Sequence, residues 1–194
     1  MTAICYIHGF NSSPASSKAR LLRERLTQLG REESFRAPAL PHRPAQAIQV
    51  LERTIGEQEA PVTLVGSSLG GYYATWLAER HGLKAVLVNP AVDAPRDLAQ
   101  CLGVQQNFHT GERYEFTRAH LEELSALDVP AITRPERYLL LVATGDEVLD
   151  YRRAVEKFAR ARQIVVEGSD HGFSDFADYL DEVLAFAGFA SGLG

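Results

Sequence analysis

The feature that most limits how this chain can fold is a series of short apolar runs that do not alternate with polar residues. They lie at 3–7 (AICYI), 62–65 (VTLV), 85–88 (AVLV), 138–143 (YLLLVA) and 163–166 (QIVV). A strand with one wetted face alternates apolar and polar side chains; a strand covered on both faces does not. A weaker run at 35–37 adds a sixth. Between the runs, apolar residues recur at helical spacing. Leu21, Leu22, Leu26 and Leu29 are closed by Gly30, and Ala47, Ile48, Leu51 and Ile55 fall within 45–59. Residues 72–80 stop before Gly82, 151–162 follow a capping Asp150, and a final helix from Ser174 carries Phe176, Leu180, Val183 and Leu184 on one stripe. Strands separated by helices specify a parallel sheet between helical layers. The expected fold is α/β, with three layers and a mostly parallel six-stranded sheet. Residues 91–136 break the pattern with Pro95, Gly103, Gly111, Pro130 and Pro135, and contain one good helical piece at 118–127. One domain over 1–194, with a cap-like insertion at 91–136 over one end of the sheet, is expected.

The run at 62–65 leads directly into Gly66-Ser67-Ser68-Leu69-Gly70-Gly71. G-x-S-x-G between a strand and a helix is the pattern of a nucleophile elbow, a sharp turn that lifts a serine hydroxyl clear of the sheet. The glycines are needed two residues to either side because the backbone folds back there and leaves no room for a Cβ. That spacing selects Ser68; Ser67 has Val65 and Leu69 at the corresponding positions. A serine hydroxyl needs a base, and the base an orienting acid, in the chain order Ser, acid, His for this architecture. His171 follows the last strand, in Gly168-Ser169-Asp170-His171-Gly172, and no other histidine follows His120. Among the acids, Asp146 directly follows the run 138–143. Asp150 reads as a helix cap, Asp170 is adjacent to the histidine and poorly placed to hold it, and Asp93 is the fallback. Two oxyanion donors are expected: the backbone N–H of Leu69, next to the nucleophile, and that of Phe10, turned inward by Gly9 after the first strand. His8 reads as structural.

Composition narrows the partners. In 194 residues, 20 Lys+Arg stand against 25 Asp+Glu for a formal charge of −5, the wrong balance for a nucleic-acid binder. No run approaches the roughly 18 apolar residues of a membrane span. Two cysteines are too few for a disulfide framework or a four-ligand zinc site; Cys5 reads as core, and Cys101 carries no redox signal. The first residues lack the basic and apolar regions of a signal peptide, so a cytoplasmic location is expected. No phosphate-loop pattern is present, and neither cofactor nor metal is expected. Oligomeric state is not legible.

The residues Tyr6-Ile7-His8-Gly9-Phe10-Asn11-Ser12-Ser13-Pro14, the block from Val65 to Leu77 (VGSSLGGYYATWL), Val88-Asn89-Pro90-Ala91 and Thr144-Gly145-Asp146-Glu147-Val148-Leu149-Asp150-Tyr151-Arg152 together resemble the YqiA-type esterase family of the α/β-hydrolase fold. The resemblance covers nearly the whole chain and puts nucleophile, acid and base on Ser68, Asp146 and His171. It implies a sheet lacking the first strands of larger members, and acyl esters or acyl-CoA thioesters as small-molecule substrates. Leu102, Gly103, Asn107, Thr110, Gly111, Tyr114 and His120 in the insertion share in it, either as a pocket wall or as plain structure. Related proteins sometimes carry glycine in place of the nucleophile, so a non-catalytic binding module on the same scaffold is the alternative. A peptidase or C–C hydrolase with the same triad is the alternative among enzymes.

Overall fold

The computed structural model of the protein describes residues 2–189. Six parallel strands form the central sheet: β1 (Ala3–Ile7), β2 (Phe35–Arg36), β3 (Val62–Ser67), β4 (Lys84–Val88), β7 (Tyr138–Ala143) and β8 (Arg162–Val166). Their spatial order is β2-β1-β3-β4-β7-β8. All five adjacent pairs are parallel, with Ile7 opposite Gly66 and Val88 opposite both Ser67 and Leu141.

In β1, β3, β4 and β7 the absence of polar alternation has the expected cause, burial on both faces, whereas β8 at the sheet edge is only partly covered, with Val165 47% exposed. Cys5, Ile7, Leu64, Leu87, Leu140 and Val142 point into one apolar layer with α2 (Pro44–Gly56), α3 (Leu69–His81) and α6 (Tyr151–Lys157). Ile4, Tyr6, Val65, Val86, Val88, Leu139 and Leu141 point into the other, against α1 (Ser17–Gln28) and α7 (Leu180–Ala187). Burying a leucine fully is worth about 1.5–3 kcal/mol, and the central strands contribute several on each face. The chain passes from β1 outward to β2 and then back across to β3. The sheet order therefore reverses between β1 and β3, and in open α/β sheets ligands bind outside the carboxyl ends of strands at such a point.

Several boundaries differ from those expected; the helices expected over 45–59 and 72–80 run over Pro44–Gly56 and Leu69–His81. The helix expected over 151–162 stops at Lys157, where Ala161 N donates to Phe158 O in a closing turn and β8 begins at Arg162 to pair with Leu139. The helix expected over 118–127 is α5 (Arg118–Ser125), with Leu127 in the turn that ends it. The last helical segment opens as a 3-10 turn over Ser174–Tyr179 before α7. The insertion also contains what the reading did not foresee, an antiparallel hairpin of β5 (Gly103–Gln106) and β6 (Arg113–Phe116), preceded by the short α4 (Ala94–Leu98).

Candidate active site

Ser68 stands between β3 and α3 with φ 55° and ψ −120°, a conformation that L residues rarely hold. The turn is fixed around it. Ser68 N donates to Val88 O at 3.1 Å, and Ser68 O accepts from Gly71 N at 2.9 Å and Ala91 N at 3.1 Å. The flanking glycines are required by contact. A Cβ on Gly66 would lie 2.8 Å from Gly71 Cα, and one on Gly70 would collide with the Ile7 carbonyl and lie 2.8 Å from His8 O. The helix thus packs directly on the carboxyl end of β1 through a bare backbone.

His171 reaches Ser68 from the loop after β8. Its Nε2 lies 3.1 Å from Ser68 Oγ, and its Nδ1 lies 2.9 Å from each carboxylate oxygen of Asp146. A carboxylate only accepts, so Nδ1 carries the proton and Nε2 is left to accept from the serine hydroxyl. Asp146 leaves β7 through Thr144-Gly145, and its side chain is 2% exposed. Its Oδ1 also accepts from Val148 N at 2.9 Å and Leu149 N at 2.8 Å, so two amides hold the carboxylate in place. Glu147 Oε2 accepts the backbone N–H of His171 at 2.9 Å.

The competing acids have other partners. Asp150 caps α6 by accepting Arg152 N at 3.1 Å, and Asp170 accepts from Ser174 N at 3.0 Å and Ser174 Oγ at 2.6 Å. Asp93 pairs with Arg153 at 3.1 Å, while the other branch of that guanidinium takes Asp97 at 3.0 Å, pinning α4 to α6.

Phe10 and Leu69 share with Ser68 and His171 the lining of a cavity of about 620 Å³. Among the described residues neither backbone N–H donates to a protein acceptor. The Gly9–Phe10 peptide is held from its other side. Leu40 N donates to His8 Nε2 at 3.2 Å, which leaves His8 Nδ1–H to donate to Gly9 O at 3.0 Å. Because the peptide is planar, fixing its carbonyl fixes the direction of the Phe10 N–H. Burial lowers the His8 pKa and keeps the ring neutral, as that bonding pattern needs. The cavity wall is mainly apolar: Ala91, Leu98, Ala99, Cys101, Phe108, Val148 and Leu149, with the exposed Arg96 and the half-buried Asp97 as charged members.

None of the insertion residues that share in the resemblance lines this cavity, although their neighbours Cys101 and Phe108 do. Asn107 and Tyr114 are fasteners: Asn107 Nδ2 donates to Ser12 O at 2.8 Å, Tyr114 OH donates to Asn11 Oδ1 at 2.7 Å, and Phe108 N donates to Asn11 O at 2.9 Å. The hairpin is thereby tied to the loop that carries Phe10. His120 accepts Thr117 N at 3.1 Å in the box that starts α5. No helix among the described residues is long and apolar enough to cross a membrane.

A parallel sheet of this order, with a serine elbow after β3 and a histidine loop after the last strand, defines an α/β-hydrolase fold. Solved structures agree at the level of fold. Alpha/beta hydrolase domain-containing protein 10 from mouse superimposes with TM-score 0.73 at 17% identity, covering 94% of this chain and 89% of that one. The esterase domain of a Rhodothermus marinus protein gives 0.67 at 21% identity, with 96% and 85% covered. Est1E from Butyrivibrio proteoclasticus, solved with ferulic acid bound, gives 0.67 at 13% identity, with 95% and 88% covered. The model of the YqiA-like family, described as Uncharacterised protein family (UPF0227), matches residues 3–188, and the chain belongs to that family.

Proposed function

We propose that this protein is a serine hydrolase that cleaves carboxylic acyl esters or acyl-CoA thioesters through an acyl-enzyme. The observation that carries the reading is the unbroken relay from Asp146 through His171 to Ser68, with contacts of 2.9 Å and 3.1 Å, opening on an apolar cavity. Ser68 Oγ attacks the carbonyl carbon as His171 Nε2 takes its proton, and the Phe10 and Leu69 amides receive the oxyanion. The imidazolium then protonates the departing alcohol or thiol. Water, deprotonated by the same ring, attacks the acyl carbon, frees the acid and restores Ser68. The apolar wall suits an acyl chain, and the exposed Arg96 beside it suits an anionic leaving group such as coenzyme A. Two free thiols, Cys5 and Cys101, suit the reducing cytoplasm.

The test is hydrolysis of p-nitrophenyl butyrate by wild type and Ser68→Ala. Loss of the nucleophile in a serine hydrolase costs about 10⁶ in kcat, so the variant should fall to background. An active wild type matched by its Ser68→Ala variant would refute the assignment, and an inert wild type would favour a binding module. A panel of esters, thioesters and peptide amides then decides the leaving group, and preference for amides would overturn the ester reading.

A further inference from the structure

Resting on the reading of His171 as base, we infer that Asn89 is a positioning residue that fixes this imidazole by clamping its loop to the end of β7. Asn89 follows β4, is 2% exposed and has φ 41°. On one side its backbone N–H donates to Leu141 O at 2.9 Å, and its Oδ1 accepts the N–H of Ala143, the last residue of β7, at 2.9 Å. On the other side its Nδ2 donates to Asp170 O at 2.9 Å and to His171 O at 3.1 Å. A buried amide with its acceptor and both donors committed has one orientation available. It spans from the strand that delivers Asp146 to the backbone of the histidine itself.

The rest of the histidine loop is held at its ends, by Gly168 N donating to Thr144 Oγ1 and Phe173 N to Asp170 O, and by Glu147 accepting the His171 N–H. Gly168, Ser169 and Phe173 are all left-handed, at φ 72°, 56° and 51°, so no regular ladder carries the chain through His171. The next carbonyl, Gly172 O, accepts from Lys18 Nζ, which is buried under α1. Three consecutive carbonyls, 170 to 172, are therefore held by buried side chains from distant parts of the chain. Among the described residues His171 O has no donor besides Asn89. A role confined to the fold would be complete with the Leu141 and Ala143 bonds; the two bonds to the loop serve the placement of the ring.

Asn89→Asp separates the two arms. It keeps the oxygen that accepts Ala143 N–H and tolerates the left-handed backbone, but turns an oxygen toward the carbonyls of Asp170 and His171. An ångström of misplacement costs about 10²-fold in rate, so kcat for p-nitrophenyl butyrate should fall about 10- to 100-fold. KM should stay near the wild-type value, because the acyl cavity is untouched. Covalent labelling of Ser68 by a fluorophosphonate should slow by the same factor. Asn89→Gly, which removes both arms without backbone strain, is measured alongside and decides the matter if the aspartate variant does not fold. A folded variant with wild-type kcat, or with its loss carried by KM, overturns the inference. Failure of both variants to fold overturns it too, since the side chain would then belong to the fold. A wild type that neither turns over nor labels would instead refute the serine-hydrolase reading, so the two failures are distinct.

Discussion

Lys18 gives a prediction whose size follows from where the side chain lies. It belongs to α1, is buried, and donates through Nζ to Gly172 O. Burial pushes its ammonium down to about 8, with Asp170 opposing the shift through its charge. In the unfolded chain a lysine holds its proton to about 10.4. Between these values the unfolded state binds a proton that the native state has released, so stability rises with pH across that window. The native state thus bears the cost of the buried charge in full below pH 8 and is relieved of it as pH climbs toward 10.5. At 1.36 kcal/mol for each pH unit, the relief approaches about 3 kcal/mol. The perturbation is Lys18→Met, which keeps an unbranched apolar stem and cannot titrate. Urea unfolding of both proteins from pH 7 to 10.5 gives a difference in unfolding free energy at each pH. Burial raises the pKa of Tyr72, Tyr73 and Tyr138 and lowers stability at high pH in both proteins alike, so their contribution cancels in the difference. The loss of the Gly172 bond adds an offset that does not vary with pH. The difference should move in favour of the wild type by about 3 kcal/mol and level off as pH nears 10.5. A difference that stays flat from pH 7 to 10.5 would refute the reasoning.

Other outcomes follow from the same geometry. Gly70→Ala puts a Cβ against the Ile7 carbonyl and 2.8 Å from His8 O, both backbone atoms, and should cost more than about 4 kcal/mol; a melting temperature near wild type would contradict it. Asp146→Asn keeps the shape of the site but reverses the polarity that sets the His171 tautomer, so kcat should fall about 10⁴-fold with KM little changed, as steady-state kinetics would show.

Most of the fold and the three chemical groups were legible because each left a local mark. A strand buried on both faces writes itself as an unbroken apolar run, and an elbow needs glycine where helix α3 touches β1. Asp146 and His171 lie in the loops that leave β7 and β8, so their place at the carboxyl edge needed only the direction of the sheet. The hairpin of β5 and β6 escaped because its signature is different. Val104, Arg113 and Glu115 face water, so neither strand reads as an unbroken apolar run; only Phe116 enters the core, and Asn11 ties the pair to the loop after β1. The early end of α6 escaped because Ala159, Arg160 and Ala161 are good helix formers; the register of β8 against Leu139 overrides their preference. Asn89 and Lys18 carried no local mark of their roles. Their partners lie 81 to 154 residues away, and only the folded chain brings them to the histidine loop.

The central claim is that one hydroxyl in this chain, and not its neighbour, is made nucleophilic by an imidazole. The most direct measurement is to treat the native protein with a fluorophosphonate and map the modified peptide by mass spectrometry. The account predicts one adduct, on Ser68, absent from the His171→Ala variant. An adduct on Ser67, or one that forms equally fast without His171, would contradict it.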